Sequence, residues 1–485
     1  MENSCNLILN LRANVSEYPK YFKKIYDKNC ISKKKIYISW IDNISKNYKS
    51  DIFWWSLSHV CKNNNLNKIY HYFVLLESIN QLRGSKKFKV LIVDRIIESN
   101  IKKIKFNYKK KIIIGNEKKN VNSFYNIFKF VLYQLLTILI FKLIPKKNYA
   151  NDKMVLIDCF ITNFWKPDTG LIEKFKINNI LKKNFLFIPT LSYMGYLKRF
   201  YLNLKLANKK NYLLKEQYLE VRDLFNAVKI IKYAHSFDNK IQKIKKWDFE
   251  NIILLEMKNF SQYESILSSV LNFSLVRNLK KNKINFLKVI NYFENQNIDK
   301  GWNLGFNTFY DKNTIVGYQA FTYMPESFNI SPSKLEVLSG VCPKKIIVKG
   351  EGFKKLISEN CNNIIFSIGP SFQKFNKKNF NVRKKIDYLF LLNGIPIEDQ
   401  KIINEIQDFK IMNKNKKIAV KFHPISKISS IDILEMKKIN ISILEGDIAQ
   451  HLTKSNFVVT TGLTTSLIEA LIYNCNYYYR SMEGL

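Results

Sequence analysis

Three groups of residues in this sequence have the types and spacing that chemistry requires. The first is Lys421-Phe422-His423-Pro424, which closes a short apolar run. An imidazole there can donate to a phosphate oxygen or move a proton near neutral pH, and Pro424 fixes the turn that aims it; a histidine capping a loop has the same pattern. The second is Thr460-Thr461-Gly462-Leu463-Thr464-Thr465-Ser466-Leu467-Ile468-Glu469-Ala470, directly after the apolar run NFVV. A strand, a glycine turn with hydroxyl residues and a helix start present free backbone N–H groups to a phosphate. Thr464, Thr465 and Ser466 can add side-chain donors, and Glu469 can accept from a ribose diol; ordinary helix capping by Thr or Ser is the plainer reading. The third is Glu294 in FENQ, a candidate general base for a hydroxyl, with Gln319 in VGYQ and Gly350 as further cleft candidates. Asp158 and Asp168 are weaker candidates, and His59, His71, His235 and His451 share no spacing and read as structural.

Positioning these groups needs elements in the right order. Strands are expected at 34–40 (KKIYISW), 88–94, 153–160 and 184–189, with a helix at 51–63. From about Met194 to Phe293 the pattern is helical and charged, and 299–320 reads as strand and loop. Pro325, Pro332 and Pro343 suggest a crossing segment, which places a domain junction near Cys342. Beyond it, short apolar runs at 345–348, 364–367, 388–392, 417–422 and 457–460 alternate with helix signals, as in a parallel sheet covered on both faces. His423 then lies at the carboxyl end of one strand and the 460–470 motif at that of a later one, where such sheets bind ligands.

The bulk composition bounds the answer. A chain of 485 residues exceeds a single core, and 46% hydrophobic residues suffice for a folded protein. The net charge of +40 is nearly all Lys among abundant Asn and Ile, a composition expected of an AT-rich genome. The remainder fits anionic lipid surfaces or phosphorylated substrates, and no basic stripe interleaved with aromatics supports nucleic acid as a partner. The seven cysteines form no CxxC pair or metal-ligand spacing, which fits idle thiols in a reducing cytosol. No secretory signal is expected from the first twenty residues. Segment 123–147 is the membrane-like stretch, but its apolar part, Phe130 to Phe141, is short for a span. A helix in the membrane interface, flanked by Lys129, Lys142, Lys146 and Lys147, and a buried core helix both fit it.

In order and separation, the His423-Pro424 and Thr464–Ser466 motifs resemble the HP and Ser/Thr-rich motifs of GT-B-fold enzymes. These include bacterial sialyl-, polysialyl- and Kdo-transferases and teichoic-acid polyol-phosphate polymerases. The stretches DIFWWSLSHVCKNN, LIDCFITNFWKPDTG, NYFENQNIDKGWNLGF and GYQAFTYMPESFNISPS, followed by CPKKIIVKGEGFKKL, resemble a family of surface-carbohydrate (O-antigen or capsule) biosynthesis proteins of bacterial polysaccharide loci. The resemblance implies Lys421, His423, Pro424, Gly462 and the Thr464–Ser466 turn on the donor nucleotide's phosphates, and Glu469 near its ribose. Thr464-Thr465-Ser466 stands where those proteins often have a Ser-Ser pair, so the working hydroxyl is open. GT-B proteins usually add a closing helix after a strand such as NYYY; this sequence stops at Leu485.

Together these readings lead to an α/β, GT-B-like expectation. Two Rossmann-like domains with parallel sheets, 1–341 on the acceptor side and 342–485 on the donor side, face a central cleft, with the hydrophobic insert in the first. The expected activity is metal-independent glycosyl transfer from a nucleotide sugar to a surface polysaccharide or lipid-linked glycan. No DxD motif or phosphate-loop lysine motif is visible, and no cofactor beyond the substrate is implied. A polyol-phosphate transferase, a sugar-nucleotide epimerase and a non-catalytic, membrane-associated glycan assembly protein are the alternatives. A cytoplasmic location is expected, peripheral on the inner membrane.

Overall fold

The computed structural model describes residues 8–13, 15–63, 67–115, 123–147, 149, 154–161, 185–191, 194–237, 241, 243–311, 314–319, 328–369, 384–394, 396–423, 426, 428–446, 448–461 and 465–480. Among these residues the strands form three sheets, in which every pair of neighbours is parallel. Parallel neighbours need crossover connections, and the helices that supply them cover the sheets and keep the strands apolar. The α/β class with parallel sheets is therefore the observed one.

The first sheet orders β1 (Ile8–Asn10), β2 (Val90–Asp94) and β3 (Lys111–Gly115) as β1-β2-β3. The second orders β4 (Met154–Ile161), β5 (Phe185–Leu191), β6 (Phe286–Tyr292), β7 (Ile315–Tyr318), β8 (Lys345–Val348) and β9 (Ile365–Ile368) as β5-β4-β6-β7-β8-β9. Both belong to one compact unit. The expected junction at 341/342 is therefore displaced. Strand β8 pairs with β7 through Gly317–Ile346 and Tyr318–Ile347, which carries the first unit through β8 and β9.

The second unit holds β10 (Ile386–Leu391), β11 (Ile418–Lys421), β12 (Ile441–Ile443), β13 (Ser455–Thr461) and β14 (Asn476–Arg480), ordered β12-β11-β10-β13-β14. The period of two along β10 and β11 sends their side chains to two cores. Leu389, Leu391 and Ala419 pack with Leu452, Val458 and Ala470, while Ile418 and Val420 pack with Ile403, Ile406 and Met436. This is a doubly wound, Rossmann-like half.

Several expected elements differ. Residues 286–292, inside the stretch expected to be helical, form β6, and the helix expected at 51–63 ends at Ser56, followed by a 3-10 turn at Ser58–Cys61. Residues 34–40 belong to a helix, Lys34–Ser45, because the buried positions 34, 37, 38, 41 and 45 recur at helical spacing. That period overrides the β-branched residues that suggest a strand. Residues 297–309 form the helix Asn297–Phe309, opened by a capping box between Gln296 and Asp299. Its glycines suggest a loop, yet Gly301 serves close packing: a Cβ there would fall 1.8 Å from the Ser269 carbonyl oxygen of the helix Tyr263–Lys281.

The hydrophobic insert is a 20-residue helix, Ser123–Lys142. Ile127, Phe130 and Ile138 join the main core, and Phe141 joins a second cluster beside β4 and β5. The opposite face exposes Phe124, Phe128, Leu132, Leu136 and Leu139. Core helix and exposed apolar face thus coexist in one element.

Substituting Gly301→Ala should push the two helices apart and destabilise the protein by about 1–3 kcal/mol, as overpacking does. The same change at Gly350, where an added Cβ meets nothing within 4 Å, should be silent. Denaturant unfolding of the two variants checks the contrast.

Candidate functional site

The first unit contains a cavity of about 410 Å³ where β4, β5 and β6 end. From β4 the sheet grows first to β5 on one side and then to β6 on the other. The carboxyl ends of β4 and β6 therefore flank the topological switch point, where open parallel sheets bind ligands. Phe160 near the end of β4, Thr190 and Leu191 at the end of β5, and Glu294 just beyond β6 line the cavity. Phe160 stacks on Tyr292, the last residue of β6, with centroids 6.0 Å apart.

Glu294 is held from both sides of its peptide. Its N–H donates to Asp299 Oδ2 at 3.0 Å, and its carbonyl accepts from Asn329 Nδ2 at 2.8 Å. Asn295, in the left-handed region at φ 54, then turns the chain into the helix Asn297–Phe309. Burial pushes the Glu294 carboxyl up to about 7, with a Gln296 hydrogen bond opposing it. Burial and then the Glu294 charge raise Asp299, against two backbone N–H bonds. A carboxyl near 7 in a cavity wall is poised to exchange a proton at neutral pH.

Opposite charges meet nearby. Lys215 Nζ donates to Thr190 Oγ1 at 3.0 Å and to Asn272 Oδ1 at 3.3 Å, and the Thr190 hydroxyl donates to Asp158 Oδ1 at 2.8 Å. Burial lowers the Lys215 pKa, against the attraction of Asp158. Arg199 Nη1 bonds Glu264 Oε2 at 2.8 Å, and the Tyr196 hydroxyl donates to the other oxygen at 2.9 Å. Asp158 thus supports the cavity through Thr190. Asp168 lies outside the described residues. Sequence reasoning missed Lys215, Arg199 and Glu264, which come from three separate helices. The one local signal was a charged pair, Lys215-Glu216, set directly after Leu213-Leu214.

The other first-unit candidates lie elsewhere. Gln319 is 2% exposed, its N–H continues the ladder to the Ile347 carbonyl at 2.9 Å, and its amide reaches the Ile330 carbonyl at 3.4 Å. That is a structural position. Gly350 follows β8 with extended backbone at φ 179, on the N-terminal side of the helix Glu351–Ile357. The sheet order leaves β7 between β8 and β6, so Gly350 and Glu294 leave strands that are not neighbours.

In the second unit, Lys421 ends β11 and His423 follows it, while the helix Thr465–Ile472 follows β13. Strand β10 lies between β11 and β13, so both motifs leave one rim, about 10 Å apart across two strand spacings. Burial lowers the His423 pKa, with Asp399 opposing. Ser466 and Glu469 lie half-buried on the helix. Pro424, Gly462 and Thr464, and the side chain of Thr465, lie outside the described residues. The switch point of this sheet is between β10 and β13, which brings in a loop the sequence reading passed over. Asp399 accepts from the N–H groups of Asn393 and Gly394, each at 3.2 Å, and Gly394 has φ 87. The Asn393-Gly394 pair just after an apolar run was the signal available there.

No protein-family model matches the sequence, and no curated protein matches it. The crystal structure of MurG from Acinetobacter baumannii is similar at a TM-score of 0.36 and 5% identity, over 67% of this chain and 86% of that one. A likeness at that level carries no inference about activity.

The carboxyl of Glu294 makes stability depend on pH. As pH rises from about 4.5 to about 7 the unfolded chain releases this proton while the native state keeps it, so the native state loses relative stability across that window. Glu294→Gln removes the burden. Its melting temperature relative to wild type should be unchanged below pH 4.5, rise through the window and level off above pH 7.

Proposed function

We propose that this protein is a glycosyltransferase that uses a nucleotide-activated sugar. The first-unit cavity receives the acceptor and the second-unit rim receives the donor's diphosphate. The observation that carries the reading is Glu294, a carboxyl raised to about 7 in a cavity at a switch point. In the step proposed, an acceptor hydroxyl oxygen forms a bond to the donor's anomeric carbon. Its proton passes to the Glu294 carboxylate, and the bond from that carbon to the diphosphate breaks, the electron pair leaving with the nucleotide. His423, Lys421, the backbone N–H groups opening the helix Thr465–Ile472 and the Thr464–Ser466 hydroxyls would stabilise the charge that develops on the phosphate. Glu469 would hold the ribose. Surface polysaccharide or a lipid-linked glycan as acceptor rests on the family resemblance of the sequence motifs.

Peripheral attachment to an anionic membrane is part of the same proposal. One face of the helix Ser123–Lys142 supplies Phe130, Tyr133 and Gln134 to the cavity wall. Its opposite face leaves Phe124 64%, Phe128 63% and Leu136 50% exposed, with Lys129 and Lys142 on the same helix and a chain charge of +40. An apolar stripe with flanking cations suits the headgroup boundary.

Transfer is tested by incubating the protein with a panel of nucleotide sugars and glycan acceptors and measuring product. Glu294→Gln should lower kcat by about 10²–10⁴, and the wild-type rate should climb with pH through about 7, as loss of a general base requires. A Glu294→Gln rate equal to wild type would remove the base from the scheme. Vesicle co-sedimentation tests the membrane: binding to phosphatidylglycerol vesicles should exceed binding to phosphatidylcholine and weaken with salt. It should fall in a Phe128→Ser, Leu132→Ser, Leu136→Ser variant.

A further inference from the structure

The cavity wall holds a polar pair that the transfer step leaves idle. Asn203, on the helix Tyr196–Ala207, is 2% exposed, and its Nδ2 donates to Oε1 of Glu216 at 3.1 Å. That bond sets the amide orientation, because the flipped amide would turn oxygen against oxygen. The remaining atoms, Asn203 Oδ1 and Glu216 Oε2, are both buried without a hydrogen-bond partner. Each unsatisfied buried acceptor costs about 1–3 kcal/mol, so two on bonded neighbours form an unusual concentration of unmet demand. Burial also raises the Glu216 carboxyl, against its own backbone N–H, the Lys215 charge and the Asn203 amide, in that order.

The cations of the same wall have other partners. Arg199 is paired with Glu264 at 2.8 Å, and Lys215 Nζ is bonded to Thr190 and Asn272. Glu216 and Glu294 are the carboxyls raised by burial that line this cavity. Acceptors are therefore in surplus, and a phosphate or carboxylate would add to the surplus. Phe130 and Tyr133 supply apolar surface in the same wall, as sugar-sized ligands need beside their polar anchors.

We infer that Asn203 and Glu216 form a subsite for hydrogen-bond donors of a non-anionic sugar ring, taking its O–H or amino N–H groups and rejecting acidic sugars. The inference rests on the acceptor reading of this cavity. It assigns to that acceptor a ring whose donors, and not an acidic group, face the helix Tyr196–Ala207. Binding and transfer remain separable in experiment.

Calorimetric titration of the full chain at pH 7 with methyl glucoside, methyl glucosaminide and methyl glucuronide tests it. One or both of the first two should bind, with the glucuronide at least tenfold weaker. A preference for the glucoside identifies hydroxyl donors, and a preference for the glucosaminide identifies the amino group. Glu216→Gln should weaken the favoured sugar about tenfold, one lost charged hydrogen bond. It should also raise the melting temperature of the free protein by about 1–3 °C, because the new amide can donate to Asn203 Oδ1. Asn203→Ser, which keeps a donor for Glu216 and deletes the amide oxygen, should weaken the same sugar. Binding of none of the neutral or amino sugars, equal binding of the glucuronide, or Glu216→Gln silent in both affinity and melting temperature overturns the subsite. Loss of transfer in Glu294→Gln with Glu216→Gln silent would sink the subsite alone. Glu216-dependent sugar binding without transfer from any donor would sink the transferase reading alone.

Discussion

Glu336 sits with no exposure to water between two equally enclosed lysines. Its Oε2 accepts from Lys62 Nζ at 2.7 Å and its Oε1 from Lys300 Nζ at 2.5 Å. Burial alone would raise this carboxyl, but Lys300 and Lys62 hold it down to about 2. The cluster extends to Asp42, 3.5 Å from Lys62 and bonded by the Ser333 hydroxyl at 2.8 Å, and to Asn295, which accepts from Lys300 and from the Cys342 thiol. Four stretches far apart in sequence meet here: the helix Lys34–Ser45, the turn at Lys62, the start of the helix Asn297–Phe309, and the segment 329–342. Such an arrangement is costly to desolvate and costs several kcal/mol more to break from one side, so it commits those stretches to one geometry.

That commitment reaches the cavity directly. Asn295 is the residue after Glu294, and its side chain is fixed by Lys300, Glu336 and the Asn329 carbonyl. Asp299, one residue before Lys300, takes the backbone N–H groups of Glu294 and Gln296. The peptide that carries Glu294 is thereby held by groups that are themselves held. Its carboxyl, in contrast, has no cation against it and stays near neutrality. The neighbouring clusters thus differ: charges are paired in the buried Lys62–Glu336–Lys300 cluster, and the Glu294 carboxyl, with no cation among the groups that shift it, is raised in the cavity wall. Pre-organisation of this kind is what a proton-transferring group requires.

The second unit places its candidate residues by topology. Its β12-β11-β10-β13-β14 order puts the ends of β11 and β13 on one rim with the loop after β10 between them. Asp399 draws that loop together by accepting from Asn393 and Gly394 and from the Ser426 hydroxyl just beyond His423. The histidine and the helix start therefore share a supporting framework within one sheet.

Short apolar runs at 345–348, 388–392, 417–422 and 457–460 were legible in the sequence as strands, because a strand buried on both faces cannot be anything but apolar. His423 and the hydroxyl-rich turn were legible as strand-end groups for the same reason; Glu294 was legible as a candidate base, but the strand before it and the capped helix after it were not. Residues 34–40 and 299–309 were misread, because β-branched residues and glycines carry local preferences that tertiary packing at Tyr37, Ile41 and Gly301 overrode, and 286–292 was read into the helical stretch before it. Which sheet receives β8 was beyond local pattern, since a parallel strand looks alike wherever it pairs. The cavity itself was decided only in three dimensions. Arg199, Asn203, Lys215, Glu216 and Glu264 come from helices with no shared period, and no local pattern marks Lys62, Lys300 and Glu336 as the charges from which the fold removes water. Sequence alone determines which segments must be buried; the pairing of charges, and the raised pKa of an acid left unpaired, come from desolvation, which exists only once the chain has closed around them.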